Sequence, residues 1–137
     1  MEIIQSIIGF FIAIGILVTF HEFGHFYIAR LFNVKVLNFS IGFGKTLYKK
    51  KFSNEGTEYS VGLIPLGGYV KMLESSELDA ELDQDQYPYC FDKQSVYKRF
   101  LIVAAGPVFN LILAIIFFTI VHFSGITGMK PFVTSID

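Results

Sequence analysis

The chain has 137 residues, a hydrophobic fraction of 53% and a mean hydropathy of +0.53, so it is too apolar for an ordinary soluble domain of this size. Its net charge of −1 provides no global attraction to nucleic acid. The single cysteine, Cys90, excludes an intrachain disulfide and implies no oxidising compartment.

The first predicted element is a transmembrane helix over residues 1–30. The segment from Ile3 to Phe20 carries no charge, and the apolar character continues to Ala29, which exceeds the roughly 20 residues that cross a bilayer. A cleaved signal peptide is disfavoured because Glu2 stands where a basic segment belongs and the apolar run is too long. The alternative is a buried helix of a soluble protein, but the rest of the chain is too small to surround it.

The end of this helix carries the sequence HEFGH at 21–25. His21 and His25 are four residues apart, so both face one side of a helix. This pattern is typical of zinc metallopeptidases, in which the two histidines bind Zn²⁺ and the glutamate, here Glu22, is the general base. Gly24 would let another segment approach closely. The alternative is a group of interfacial polar residues, but His21 lies roughly 13 Å of helical rise from Arg30, where polar groups are costly and usually functional.

Residues 31–73 are predicted to form a small antiparallel β-element, because Tyr59, Val61 and Leu63 alternate with polar or small residues. The sequence LIPLGGYV at 63–70 is apolar enough to enter the membrane, where irregular backbone needs cover from protein or a watery cavity. A cytoplasmic sheet with no special role is the alternative. Turn signals at 54–56 and 65–68 divide the element into four short strands, at about 36–43, 46–52, 57–64 and 68–73.

An acidic linker and a docking segment are predicted over residues 74–99. The sequence ESSELDAELDQD at 74–85 contains six acids and no base, which indicates a solvated, mobile linker. The sequence QYPYCF at 86–91 is either a docking segment or a loop, and its composition does not distinguish the two.

The second predicted transmembrane helix covers residues 100–123 and contains Gly106, Pro107 and Asn110 within an apolar run. Gly106 permits close helix approach, and Pro107 leaves a carbonyl unpaired. Asn110 lies roughly 15 Å of rise from Phe100, which is about the depth of His21, so the two polar sites could face each other. Asn110 could then bind a substrate carbonyl or the tetrahedral oxyanion, or it could form only an interhelical hydrogen bond.

The basic residues predict the orientation. Ten of the eleven Lys and Arg residues lie between Arg30 and Arg99, and only Lys130 lies outside. The positive-inside rule therefore places this loop in the cytoplasm and both termini on the other side. His122 lies roughly 33 Å along the second helix from Phe100, which places it on the opposite side of the membrane from the HEFGH motif. His122 is then an interfacial residue and a poor candidate for the third protein ligand that catalytic zinc requires.

Five segments in order resemble the site-2 protease family of intramembrane zinc metalloproteases, peptidase family M50. They are HEFGH at 21–25, FSIGFG at 39–44, GTEY at 56–59, IPLGGYVK at 64–71 and AGPVFN at 105–110. The resemblance implies an α-helical membrane protein of the bacterial inner membrane, with periplasmic termini. In it, two transmembrane helices are joined by a cytoplasmic loop that contains the β-element. It also implies an enzyme that cleaves transmembrane segments of membrane-anchored proteins, of the anti-sigma factor or signal-peptide remnant class.

The resemblance also implies roles for individual residues. His21 and His25 would bind Zn²⁺, Glu22 would be the base, and Asn110 would lie near the scissile bond. The strands around 59–70 would form a membrane-re-entrant element that guides an unwound substrate, with substrate contacts from Gly67, Gly68 and Tyr69. Strand addition is a sound physical route, since a helical peptide bond must be unwound before attack.

The sequence departs from the family pattern in one respect. The family's third zinc ligand is an Asp in a Leu-Asp-Gly motif on a later helix, and this sequence has no such motif. Residues 124–137 resemble the first strand of a periplasmic PDZ domain, so the chain looks like the N-terminal part of a longer protease that does not cleave substrate by itself. Two other functions stay open: an inactive two-span remnant that binds a substrate or partner, and a non-enzymatic membrane protein with an incidental HEFGH.

Overall fold

A computed structural model of the chain describes residues 1–52, 56–79 and 83–125. In this part of the chain, two long helices flank a two-stranded antiparallel sheet. Helix α1 covers Glu2–Leu31 and helix α2 covers Val96–Phe123, while strand β1 covers Val36–Lys51 and strand β2 covers Glu58–Met72. The predicted start of a PDZ-like domain lies outside the described residues, except for its first two positions.

Helix α1 ends in a hydrogen-bonded cap that points the chain into the sheet. Asn33 has a left-handed backbone with φ of 59°. The N–H groups of Asn33 and Val34 donate to the carbonyls of Arg30 and Ala29, at 3.0 and 2.9 Å. This pair of bonds satisfies carbonyls that the helix leaves free at its C-terminus, and asparagine tolerates the left-handed conformation that the pair requires.

Helix α2 begins four residues before the predicted boundary. Its first turn includes Lys98 and Arg99 and lies outside the apolar run, but the Ser95 side chain accepts a hydrogen bond from the Lys98 N–H and caps the helix there. The two helices pack antiparallel, because His25 contacts Ile102 whereas His21 contacts Asn110. The expected alignment of the two polar sites is therefore confirmed.

The predicted four short strands are two long ones. Residues 65–68, interpreted above as a turn, are part of β2, and the break predicted at 44–45 is part of β1. Gly42 and Gly44 have φ of 84° and 82°, so β1 bends sharply without leaving the sheet. Of the other predicted turn, residues 54 and 55 lie outside the described residues.

Because of this bend, the first half of β1 lies between the two halves of β2. Residues 38–41 pair with 71–68, and the same four residues also have partners at 58–61. The partner numbers fall in the first set and rise in the second, so the second set runs in the parallel direction. Asn38 confirms the second contact, because its Nδ2 donates to Glu58 Oε1 at 2.8 Å.

The segment between β2 and α2 contains two short 3₁₀ helices, Ser75–Glu77 and Gln84–Tyr89. The second spans the end of the predicted linker and the start of the predicted docking segment. Its C-terminal end is fixed to the residues next to the strands: the N–H of Lys35 donates to Tyr89 O, and the N–H of Phe91 donates to Leu73 O. A small core lies where the sheet, this segment and the two helices meet; its fully buried members include Ala29, Cys90 and Ile102.

Both helices are long and apolar enough to cross a membrane. Their outward faces are hydrophobic, with Ile3 76% and Phe118 76% exposed. Apolar surface of this extent is unusual for a soluble monomer and is typical of contact with lipid or protein.

Candidate metal centre and active site

His21 and His25 lie on the face of α1 that contacts α2, and their rings are 4.9 Å apart between centroids. Their Nε2 atoms converge on one place: a Cβ added to Gly106 would lie 2.6 Å from His21 Nε2 and 2.5 Å from His25 Nε2. Two imidazole nitrogens directed at a common point, with no side chain between them, are a fitting donor pair for Zn²⁺.

The second ring nitrogen of each histidine has a partner on α2. His25 Nδ1 lies 2.8 Å from the carbonyl oxygen of Ile102. A carbonyl only accepts hydrogen bonds, so Nδ1 carries the proton and the Nε2 of a neutral His25 is free to bind metal. His21 Nδ1 lies 3.3 Å from Nδ2 of Asn110.

Two glycines allow the helices to approach closely enough for these contacts. A Cβ on Gly24 would lie 2.6 Å from the carbonyl oxygen of Ala105, so any larger residue would push α2 away. Gly106 removes the same obstacle from the opposite helix, directly beneath the imidazoles. The close approach predicted at Gly24 is thus confirmed, and its partner is α2.

Glu22 faces a cavity of about 340 Å³ at the junction of the helices and the sheet. The β2 backbone passes beside it, because a Cβ on Gly68 would lie 2.9 Å from Glu22 Cγ. The cavity therefore brings the proposed base and a strand together. Its lining residues are Leu17, Val18, His21, Glu22, Phe43, Leu66, Gly67, Gly68 and Asn110.

The predicted site residues divide into two groups. His21, Glu22, Gly67, Gly68 and Asn110 share this cavity. Tyr69 does not line it, is 46% exposed and pairs with Ser40 in the sheet. His25 binds α2 one turn away, with its Nε2 directed at the same point as that of His21.

Sequence reasoning missed three contributions to the site. The Ile102 carbonyl has no signal in the sequence, because any residue provides a backbone oxygen. Gly106 was identified only as a helix-approach residue, although it makes room for the imidazoles. Phe43 contacts the position that a Cβ on Gly67 would take and so closes one side of the cavity; its only signal was the FSIGFG segment.

Within the described ranges, no group of three or more His, Cys, Asp and Glu side chains is placed to hold a metal ion. His122 lies in the last turn of α2, in ring contact with Phe123 and away from the other two histidines. A larger cavity of about 900 Å³ is lined by residues that include Arg30 and Lys35, but its described lining includes none of the HEFGH residues.

Comparison with known proteins identifies the family of this chain. The model of peptidase family M50 matches residues 9–136. The chain belongs to peptidase family M50. Members of the family are peptidases, and the HEFGH helix described above lies inside the matched region.

Several relatives are similar over nearly all of the chain. A protein from Vibrio cholerae whose name describes a zinc metalloprotease is 50% identical over 95% of this chain. Protease RseP of Yersinia pestis is 43% identical over 100% of it, and the regulator of sigma-E protease RseP of Escherichia coli is 43% identical over 99%. The similarity is therefore of the RseP type. The chain spans 28 to 30% of the length of these relatives.

Proposed function

We propose that this chain forms the metal-binding and base-supplying part of an intramembrane zinc endopeptidase. The observation that carries this proposal is the pair of converging Nε2 atoms on a long apolar helix, with Glu22 beside them facing a cavity. Zinc metalloprotease names among the relatives support the metal. When bound, Zn²⁺ acts as a Lewis acid that polarises a peptide carbonyl and makes a water more acidic.

The residues of the chain have distinct tasks in this proposal. His21 and His25 hold the metal. Glu22 takes a proton from the attacking water and delivers it to the leaving amine. Asn110 lies on the opposite wall of the cavity and binds the substrate near the scissile bond, where an amide N–H can pair with a carbonyl oxygen or an oxyanion.

The sheet provides a route for the substrate. Gly67 and Gly68 line the same cavity as Glu22, so a peptide in extended conformation that adds to β2 at this cavity would run past the base. Tyr69 follows on the partly exposed surface of the strand and contacts the same peptide further along. The substrate class is the transmembrane segment of a membrane-anchored protein, such as an anti-sigma factor or a signal-peptide remnant.

The setting is the bacterial inner membrane. We propose that α1 and α2 both span it, with the β-element entering the membrane from the cytoplasmic side and both termini in the periplasm. The third zinc ligand comes from outside the residues that the structure describes. An inactive two-span protein that binds substrate is the second candidate, because the described part of the chain contributes only two converging metal donors.

Zinc content of the purified chain tests the metal assignment. We expect the wild-type chain to bind one zinc weakly, because it contributes two imidazoles and leaves the other positions to water, and His21→Ala to lose it, because a single remaining imidazole cannot hold the ion. Glu22→Gln should keep its zinc, since the glutamate acts on water and substrate. His122→Ala is the matched control and should keep wild-type zinc. Undiminished zinc in His21→Ala would overturn the assignment.

A further inference from the structure

The hydrogen-bond partners of the two metal-binding histidines differ in kind. His25 is held by a backbone carbonyl, which can only accept, so its proton must lie on Nδ1. His21 is held by the carboxamide of Asn110, which has a donor end and an acceptor end. The tautomer of His21 therefore depends on which end of the amide faces it.

The donor end is incompatible with metal binding by His21. If Asn110 Nδ2 donates to His21 Nδ1, that ring nitrogen has no proton and the proton of the neutral ring lies on Nε2. A protonated Nε2 has no lone pair for zinc. Yet His21 Nε2 points to the same place as His25 Nε2, beside the missing side chain of Gly106.

A half-turn of the carboxamide removes this conflict. Its oxygen and nitrogen are nearly equal in size, so the turn exchanges them at the same 3.3 Å from His21 Nδ1. The exchange breaks no existing hydrogen bond, because Asn110 Oδ1 is buried without a hydrogen-bond partner among the described residues. The amide N–H₂ group then takes the buried place of Oδ1.

We propose that Asn110 is a positioning residue for the metal: its side-chain oxygen accepts a hydrogen bond from the Nδ1–H of His21 and holds the imidazole in the tautomer whose Nε2 binds zinc. This inference rests on the proposed zinc function, and it adds a role for Asn110 that acts through His21. Such outer partners of metal-binding histidines typically change metal affinity by about 10- to 100-fold.

Two substitutions separate an acceptor role from a donor role. Asn110→Asp keeps an oxygen facing His21 and removes every donor, so its zinc affinity should stay within about threefold of wild type or increase. Asn110→Leu has a similar size and no acceptor, and its affinity should fall by about tenfold or more. Thr119→Val, a polar-to-apolar change elsewhere on α2, is the control and should have no effect. Zinc affinity is measured by competition titration of the 137-residue chain in detergent micelles.

Nitrogen NMR of the metal-free chain gives a second readout that does not depend on zinc. The imidazole ¹⁵N resonances should show the proton of neutral His21 on Nδ1, as for His25. In Asn110→Leu the His21 signals should change while those of His25 stay, because His25 is held by Ile102. A His21 proton on Nε2, or equal zinc affinity in the Asp and Leu variants, would overturn the inference. Failure of the wild-type chain to bind zinc would instead overturn the proposed function.

Discussion

At the residue scale, the site depends on an absent side chain. Gly106 faces both imidazoles at the point where their Nε2 atoms converge, so the space for a metal ion is the space that a Cβ would fill. The requirement for glycine at this position does not come from the backbone freedom that usually explains a glycine, because Gly106 is in the middle of a regular helix. It is a requirement for room alone.

The smallest possible addition should therefore disrupt the metal centre. In Gly106→Ala the new methyl group would lie 2.5 to 2.6 Å from two nitrogen atoms, which forces the histidines or the helix to move. We expect zinc affinity to fall by about tenfold or more, as for other changes that misorient metal ligands. Alanine otherwise favours helices over glycine, so helical content should not fall.

Gly9→Ala is the matched control, because nothing lies within 4 Å of the Cβ it adds to α1. It should leave zinc affinity unchanged, measured by the same competition titration. A Gly106→Ala protein that binds zinc as tightly as wild type would show that the metal does not lie between the two imidazoles.

The sequence predicted the placement of the two histidines better than it predicted their surroundings. The spacing of His21 and His25 is sufficient to place them on one face of a helix, and the matching depth of Asn110 was enough to predict the facing polar groups. The Ile102 carbonyl could not be predicted, since it depends on the axial alignment of two helices. That alignment is fixed by local fits such as Gly24 against Ala105, which a single sequence does not reveal.

At the element scale, the sheet shows where pattern reasoning fails. Glycine and proline at 65–68 usually mark a turn, yet these residues continue β2. The reason is that the bend occurs inside the strands: Gly42 has a φ of 84°, and a Cβ there would lie 2.9 Å from the carbonyl oxygens of Gly62 and Ile64. Glycines in this sheet allow two backbones to lie close together. A strand segment of this kind is as rich in glycine as a turn, so composition does not distinguish the two.

One carboxylate contributes to holding the connection between β2 and α2. Asp92 accepts hydrogen bonds from the backbone N–H and the hydroxyl of Ser75, at 2.8 and 2.5 Å. These bonds, chiefly the one from the hydroxyl, hold the pKa of Asp92 below its ordinary value, and Lys93 adds to the effect. The carboxylate thereby fastens the first 3₁₀ turn to the residues just before α2.

This contact predicts a pH dependence. A depressed pKa means that the folded state favours the ionised form, so the stabilisation is present at neutral pH, begins to fall near the ordinary value of 3.8 and is lost as the pH falls through the folded pKa. Hydrogen exchange of the Ser75 amide, corrected for its intrinsic rate, should show protection that declines over this range. Asp92→Asn should lower the protection severalfold at neutral pH and remove the decline.

Asp85→Asn is the control for this experiment. Asp85 lies in the same connection between β2 and α2 and is exposed, so its neutralisation changes the charge by the same amount without touching Ser75. Its exchange profile should match that of the wild type. Unchanged Ser75 protection in Asp92→Asn would contradict the proposed link.

At the scale of the whole molecule, the apolar surface and the basic residues have to be explained together. Membrane insertion of both helices would cover the outward apolar faces, such as that around Phe118, and would leave the 3₁₀ segment in water at one end. The bent part of the sheet would follow α1 into the membrane, because Pro65 packs against the middle of that helix. The ends of α1 and α2 that meet the sheet carry Arg30, Lys98 and Arg99. The opposite ends carry no Lys or Arg within the described residues.

This asymmetry predicts one orientation, with residues 31–98 in the cytoplasm. Short basic loops resist transfer across the inner membrane, and ten of the eleven basic residues lie in this one loop or at its edges. A reporter that is active only in the periplasm should therefore be silent when inserted near Gln84 and active when fused before Glu2. Substituting Arg30, Lys98 and Arg99 with glutamine should weaken the preference, whereas the same change at Lys45, Lys49 and Lys50, farther along the chain from either helix, should weaken it less. A periplasmic signal from the Gln84 insertion would reverse the orientation and place HEFGH nearer the periplasmic surface.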